Sequence, residues 1–341
     1  MIPRLAIPQG DLGGIGPEVA LNVLSRADVR ARCRPLLLGH VAALRSIADQ
    51  CGIKVELQSV PDAVAGFDVP ADAPVPVWEL ESAAPTAPPG VPHSEFGFAS
   101  VEAVLRAANM CLERRADAVV TPPIHKESMH MAGYNFEGQT QIFGELCGSP
   151  RYGMLACNGN LRVLIATRNM ALREAVGSFE INQIAKQVRI AHEAARDVLG
   201  LENPRVVLAG LNPHAGEGGA FGKEESKILR PGIQQAKAEY GFETAGPAVP
   251  DAVFIEGAEG KWDVVIALYH DQAFIPLKLM GRNKAYTLFV GGKILRVSPM
   301  HGAAYDIART GQADPEPFAY SVEQAIKLAT AKHQADEAAR C

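Results

Sequence analysis

The sequence predicts an α/β fold with a mixed sheet, and three observations predict it. Short β-branched apolar runs alternate with amphipathic helical segments along the chain. Several of those runs end in polar turns that carry glycine or histidine. One Asn-Gly pair, at Asn158-Gly159, joins two apolar runs back to back, the strongest short signal of a hairpin.

In chain order, Leu5 to Pro8 reads as a strand, and Pro17, suited to a first helical turn, opens a helix to Leu24. Arg34 to Leu38 is a strand and His40 to Cys51 a helix. Residues 58 to 93 are rich in Pro, Ala, Val and Asp and predict a loop-rich excursion with edge strands. Ala99 to Arg114 puts Val101, Val104, Leu105 and Ala108 on one helical face and feeds the strand Ala116 to Val120. Tyr152 to Cys157 and Leu161 to Thr167 form the hairpin. The runs at Val206 to Leu211 and Trp262 to Leu268 read as buried parallel strands, and another strand-like run ends at Met300-His301-Gly302.

At 341 residues the chain is long enough for two domains. Its 48% hydrophobic and 21% charged residues are those of an ordinary globular protein, and a net charge of −5 argues against a general nucleic-acid surface. No apolar run reaches the roughly 18 residues of a membrane span. The six cysteines are scattered without a C-x-x-C pair, so neither a disulfide framework nor a zinc cluster is expected, and reduced thiols in a cytoplasmic protein are.

Chemistry concentrates at strand ends, where open α/β sheets bind ligands. Tyr269-His270-Asp271-Gln272 ends one strand, and Asn212-Pro213-His214-Ala215-Gly216-Glu217 ends another. A histidine beside a carboxylate at such a place binds a metal or moves a proton, although a single strand-end histidine is more often a hydrogen-bonded structural residue. Gly10-Asp11-Leu12-Gly13-Gly14-Ile15-Gly16 opens a helix without the spacing of a dinucleotide or P-loop motif; a ligand loop and a plain tight turn fit it equally. Thr121 to Lys126 leads to Gly138-Gln139-Thr140, whose side chains can hydrogen-bond a substrate oxygen. Lys278 and Arg296 suit a phosphate or carboxylate, though solvated cations are the commoner case.

Together the run Gly10 to Glu18, the block Leu211 to Glu225, Tyr269-His270-Asp271-Gln272 and His301-Gly302 resemble the 4-hydroxythreonine-4-phosphate dehydrogenase family of vitamin B6 synthesis, over nearly the whole chain. The resemblance implies two α/β/α lobes related to the isocitrate and isopropylmalate dehydrogenases. They form one catalytic unit with lobes interleaved in sequence and boundaries near 130–150 and 290–300. It implies a homodimer with its site between lobes and at the subunit interface, NAD or NADP, and a divalent zinc-, magnesium-, manganese- or cobalt-like metal held by three histidines. Two map onto His214 and His270; the third position holds Asn169, a poorer ligand. Substrate contacts map onto Gln139, where the family has histidine, Thr140, Lys278, Thr287, where it has asparagine, and Arg296; Asp251, Asp271 and Lys278 map as catalytic. The implied reaction oxidises a secondary alcohol on a small anionic hydroxy acid and then decarboxylates it. The alternatives are a dehydrogenase of a four-carbon sugar-acid phosphate or of a terephthalate-type cis-dihydrodiol, and, in another class, a non-catalytic ligand-binding paralogue.

Overall fold

The structure is a computed structural model that describes residues 1–167, 170–281 and 283–338. The chain forms two compact units, Met1–Gly148 with Gly292–Cys341, and Ser149–Gly291. Its strands are β1 (Arg4–Pro8), β2 (Arg34–Gly39), β3 (Leu57–Val60), β4 (Val75–Glu79), β5 (Ala118–Val120), β6 (Gly153–Asn158), β7 (Leu161–Ile165), β8 (Val206–Ala209), β9 (Thr244–Ala248), β10 (Val264–Ala267), β11 (Ala285–Val290) and β12 (Arg296–Pro299).

In the first unit the strand order is β3-β4-β2-β1-β5-β12, and every pair is parallel. Strands covered on both faces read as continuous apolar runs, and Leu5, Ala6 and Ile7 with Leu36, Leu37 and Leu38 are fully buried. Each such Leu or Ile contributes about 1.5–3 kcal/mol by leaving water. The helix Ser94–Leu112 buries Phe96, Val101, Val104 and Ala108. It starts five residues before Ala99, because His93 caps it by accepting from the Glu95 amide at 3.3 Å. The excursion expected over 58–93 contains a short helix, Ala63–Phe67, and only β3 is an edge strand; β4 lies inside the sheet between β3 and β2. Its Val75 and Val77 are fully buried, which an edge position would not achieve.

In the second unit the order is β11-β6-β7-β10-β8-β9. The Asn-Gly hairpin makes β6 antiparallel to β7, and β6 also runs antiparallel to β11. Strands β7, β10, β8 and β9 are parallel. The mixed character therefore sits in the hairpin of this unit.

Candidate active site

In the first unit the chain turns one way from β1 to β2 and the other way to β5, so β1 and β5 flank a switch point where the strand ends open a crevice. Two expected segments emerge there: the glycine-rich turn after β1 and the loop Thr121–Lys126 after β5.

Of the two readings of the turn, its hydrogen bonds favour the tight turn. Gly13 N–H donates to Asp11 Oδ1 at 2.7 Å, Gly14 N–H to the Asp11 carbonyl, and Ile15 N–H to the Ala303 carbonyl. The glycines serve close approach: a Cβ on Gly14 would lie 2.4 Å from the Ala303 oxygen. Asp11 is fully buried and also accepts from Tyr305 OH at 2.9 Å and the His125 amide at 3.3 Å. Tyr305 accepts in turn from Ser128 and stacks on the His125 ring, 4.3 Å between centroids. Burial pushes the Asp11 carboxyl above its usual range despite these donors. One carboxylate thus ties three loops at the crevice. Sequence reading missed Asp11 and Tyr305 in this role; a lone acid among the glycines was the only signal.

Arg296, the first residue of β12, is 5% exposed. Its Nε donates to Thr121 Oγ1 at 2.8 Å, and its guanidinium lies 5.7 Å from the Phe143 ring. Among the described residues no carboxylate pairs with it, and burial pushes it down to about 9. A buried guanidinium gains from an anionic counter-charge. Gln139 opens the helix Gln139–Leu146, one turn before Phe143. Its Nε2 donates to the Pro122 carbonyl at 3.1 Å, and Thr140 beside it is half-buried.

In the second unit, β8 and β10 are parallel neighbours, so the segments carrying His214 and His270 leave the same sheet edge. Gln272, fully engaged, fixes this edge: its Oε1 accepts from the Leu268 amide at 2.7 Å and its Nε2 donates to the Gly210 carbonyl at 2.8 Å. The end of β7 joins them, since Thr167 Oγ1 donates to the Leu268 carbonyl at 2.6 Å. Asn169 lies outside the described residues.

His214 stands in an unusual turn. His214, Ala215, Gly216, Glu217 and Gly218 all have φ between +43° and +84°. For residues with a Cβ this conformation costs about 1–2 kcal/mol each. Buried Glu225 offsets it: Oε1 accepts from the Leu211 and Asn212 amides at 2.9 and 2.8 Å, and Oε2 from Asn212 Nδ2 at 2.9 Å. Burial raises this carboxyl, but the hydrogen bonds from Asn212 and Leu211 outweigh it and leave it below the usual range. The result is an exposed histidine on a left-handed turn, the kind of backbone strain that marks functional sites.

His270 begins the helix His270–Leu279, and its Nδ1 is 2.7 Å from Asp271 Oδ1. With the ring Nδ1–H donating to that carboxylate, Nε2 keeps its lone pair. Asp251, in the first turn of the helix Pro250–Ala258, shares with Asp271 and Tyr269 a groove of about 630 Å³, lined mostly by apolar groups such as Phe254, Ile255 and Ile275. Lys278 lies two turns along the same helix, about 12 Å of rise, on one stripe with His270 and Phe274. The His270 ring is 4.4 Å from Phe274, and Lys278 Nζ is 5.6 Å from it. Thr287 is buried in β11 opposite Ala156. In the first unit Gln139 and Arg296 are thus anchored on neighbouring loop residues, Pro122 and Thr121, with Thr140 next to Gln139. In the second, His270 pairs with Asp271, Asp251 shares a groove with Asp271, Lys278 stands two turns from His270, and His214 leaves the same sheet edge from β8, with no three of His, Cys, Asp or Glu converging among the described residues.

Residues 31–329 match the family described as pyridoxal phosphate biosynthetic protein PdxA. A D-threonate 4-phosphate dehydrogenase from Bordetella bronchiseptica is 36% identical over 99% of this chain and 96% of its own length. The crystal structure of a 4-hydroxythreonine-4-phosphate dehydrogenase from Klebsiella pneumoniae superimposes with a TM-score of 0.85 at 32% identity, covering 96% of this chain and 98% of that one. A terephthalate 1,2-cis-dihydrodiol dehydrogenase from Burkholderia xenovorans reaches 0.62 at 28% identity, covering 95% and 97%. A beta-decarboxylating dehydrogenase from Thermococcus kodakarensis, at 17% identity and 0.51 over 96% of this chain and 84% of that one, shares the fold alone.

Proposed function

Because the chain belongs to the PdxA family of pyridoxal phosphate biosynthetic proteins, whose relatives are named dehydrogenases, we propose that it oxidises the secondary alcohol of a small phosphorylated hydroxy acid with NAD or NADP and that the keto acid formed then loses CO2. The observation that carries the substrate class is the buried Arg296 at the first unit's crevice, which has no carboxylate partner among the described residues. An arriving phosphate or carboxylate supplies the counter-charge the guanidinium lacks. The relatives act on phosphates of four-carbon acids by name, and that chemistry fits this receptor.

A bound nicotinamide would supply the acceptor for the hydride that leaves the alcohol carbon. Two imidazoles, one oriented by a carboxylate, suit a divalent ion, so His214 and His270 would hold it. Among the described residues no three of His, Cys, Asp or Glu converge, so the ion needs further ligands from elsewhere, such as substrate oxygens. The ion would polarise the alcohol and carbonyl oxygens as a Lewis acid. Asp271 keeps His270 in one tautomer. Asp271 or Asp251, two carboxylates that line the groove, would accept the alcohol proton. Arg296 would hold an anionic group of the substrate. The oxidation places a carbonyl β to the carboxylate, so the C–C bond breaks with its electron pair moving to the carbonyl oxygen, and CO2 leaves.

The functional unit is a homodimer in this reading. Ile255, Ile275 and Leu279 are exposed on the two helices that bound the groove, as is Met280 just beyond the second, and Leu279 is 82% exposed. A second copy covering that face would bury it.

The test is nicotinamide reduction on a panel of phosphorylated and unphosphorylated hydroxy acids and a carboxylated cis-dihydrodiol, with NAD or NADP, with and without divalent metal. Turnover restricted to phosphorylated acids supports the reading. Turnover of the dihydrodiol alone overturns its substrate class, and tight binding of one compound without any turnover makes the chain a binding protein.

A further inference from the structure

The Arg296 side chain is anchored on Thr121, so its placement depends on what holds the loop after β5. Three backbone bonds pin that loop. Thr121 N–H donates to the Val297 carbonyl at 3.0 Å, the Pro123 carbonyl accepts from the Asp11 N–H at 3.2 Å, and His125 N–H donates to Asp11 Oδ2 at 3.3 Å. Pro122 and Pro123 stand between the ends, and each ring fixes its own φ. The loop therefore has little freedom to absorb a shift at His125 before the shift reaches Thr121. The turn after β1 leaves no slack on its side: a Cβ on Gly10 would lie 3.0 Å from Pro122 Cβ.

Asp11 is the last acceptor of a hydrogen-bond chain. His93 N–H donates to Ser128 Oγ at 3.3 Å, and Tyr305 O–H donates to Asp11 Oδ2 at 2.9 Å. With its one hydrogen given to the carboxylate, the phenol accepts from Ser128 at 2.8 Å. The tight turn needs only Oδ1, which accepts from Gly13. Oδ2 is spent wholly outside the turn, on the loop after β5 and the segment after β12. Asp11 and Ser128 are fully buried, so water cannot replace a lost partner. Resting on the reading of Arg296 above, we infer that Asp11 and Tyr305 are positioning residues for the anion receptor: they set the loop Thr121–His125, and through Thr121 the Arg296 guanidinium. An arriving anion then meets a guanidinium aligned beforehand, and affinity gains what would otherwise be spent on ordering it.

The probe is inorganic phosphate, read as the rise in melting temperature of the full chain at constant ionic strength. The proteins are the wild type, Tyr305→Phe, Asp11→Asn, Arg296→Gln and the double variant Tyr305→Phe with Arg296→Gln. Tyr305→Phe keeps the ring that stacks on His125 and removes only the donor. It should weaken phosphate binding about three- to tenfold, and raise KM for a phosphorylated substrate by a similar factor with kcat changed less than about twofold. Asp11→Asn should weaken phosphate at least as much; if it fails to fold, Tyr305→Phe decides. In the Arg296→Gln background Tyr305→Phe should change phosphate binding no further, because the two act as one unit. A lower melting temperature without phosphate, with phosphate affinity intact, would make the pair a packing device and overturn the inference. Equal weakening in both backgrounds overturns it too, since the pair would not then act through Arg296. Equal phosphate affinity in the wild type and Arg296→Gln removes the receptor and the inference with it. The expected pattern in phosphate, without turnover of any acid by the wild type, sinks the dehydrogenase reading and keeps this one.

Discussion

Arg296 is the residue on which the substrate class turns. Arg296→Gln removes two or more charge-assisted hydrogen bonds to the anion, each worth about 1.5–3 kcal/mol, and should raise KM for the phosphorylated substrate at least tenfold. It should also raise the melting temperature or leave it unchanged, because a buried unpaired charge is removed. A melting temperature that falls with KM unchanged would make Arg296 a packing residue. Lysine is no substitute, since it cannot keep the fork that holds Thr121 and the anion together. His214→Ala and His270→Ala should each strip bound divalent metal, with melting changed little because both rings are exposed. Metal analysis beside a thermal melt checks this, and unchanged metal content would return both histidines to a structural role. At this scale the candidate residues were legible from motif and strand-end position, but their environments were not. Nothing around Arg296 in the sequence announces its burial, because Thr121 and Phe143 reach it through the fold. Gln272 and Glu225 were written into the motifs, yet their work of tying β8 to β10 and bracing a turn depends on partners far along the chain.

The left-handed turn after β8 is an element that the sequence concealed. His, Ala and Glu ordinarily avoid positive φ, and only the density of glycine hinted at a turn. Its geometry depends on the space beside Glu225: a Cβ on Gly216 would come within 2.8 Å of Glu225 Oε2, at φ +84°. Gly216→Ala should therefore destabilise the protein by about 1–3 kcal/mol and weaken metal binding through His214. Metal affinity that survives the substitution would separate the turn from the site. Strands were legible where they were buried on both faces, and the hairpin was legible from Asn158-Gly159. The interior place of β4 was not, because its Pro76 and the surrounding prolines read as an edge while the partners β3 and β2 decide the matter.

For the whole molecule, the α/β class followed from alternation alone, since parallel strands need crossover helices. The strand order did not, because it depends on which distant strands meet. The exposed apolar side chains of the helices Pro250–Ala258 and His270–Leu279 lead to one expectation about assembly. Leu279→Asp with Ile275→Asp should convert a dimer to a monomer by light scattering and lower activity without unfolding either unit. A wild-type monomer with full activity would contradict it. The central claim is the oxidation and decarboxylation of a phosphorylated hydroxy acid, and the most direct measurement follows both products of one reaction. With carboxyl-labelled four-carbon acid phosphate, NAD or NADP and divalent metal, reduced nicotinamide and labelled CO2 should appear in equal amounts. Reduced nicotinamide without CO2 would leave a simple alcohol dehydrogenase, and neither product with any phosphorylated acid would contradict the account.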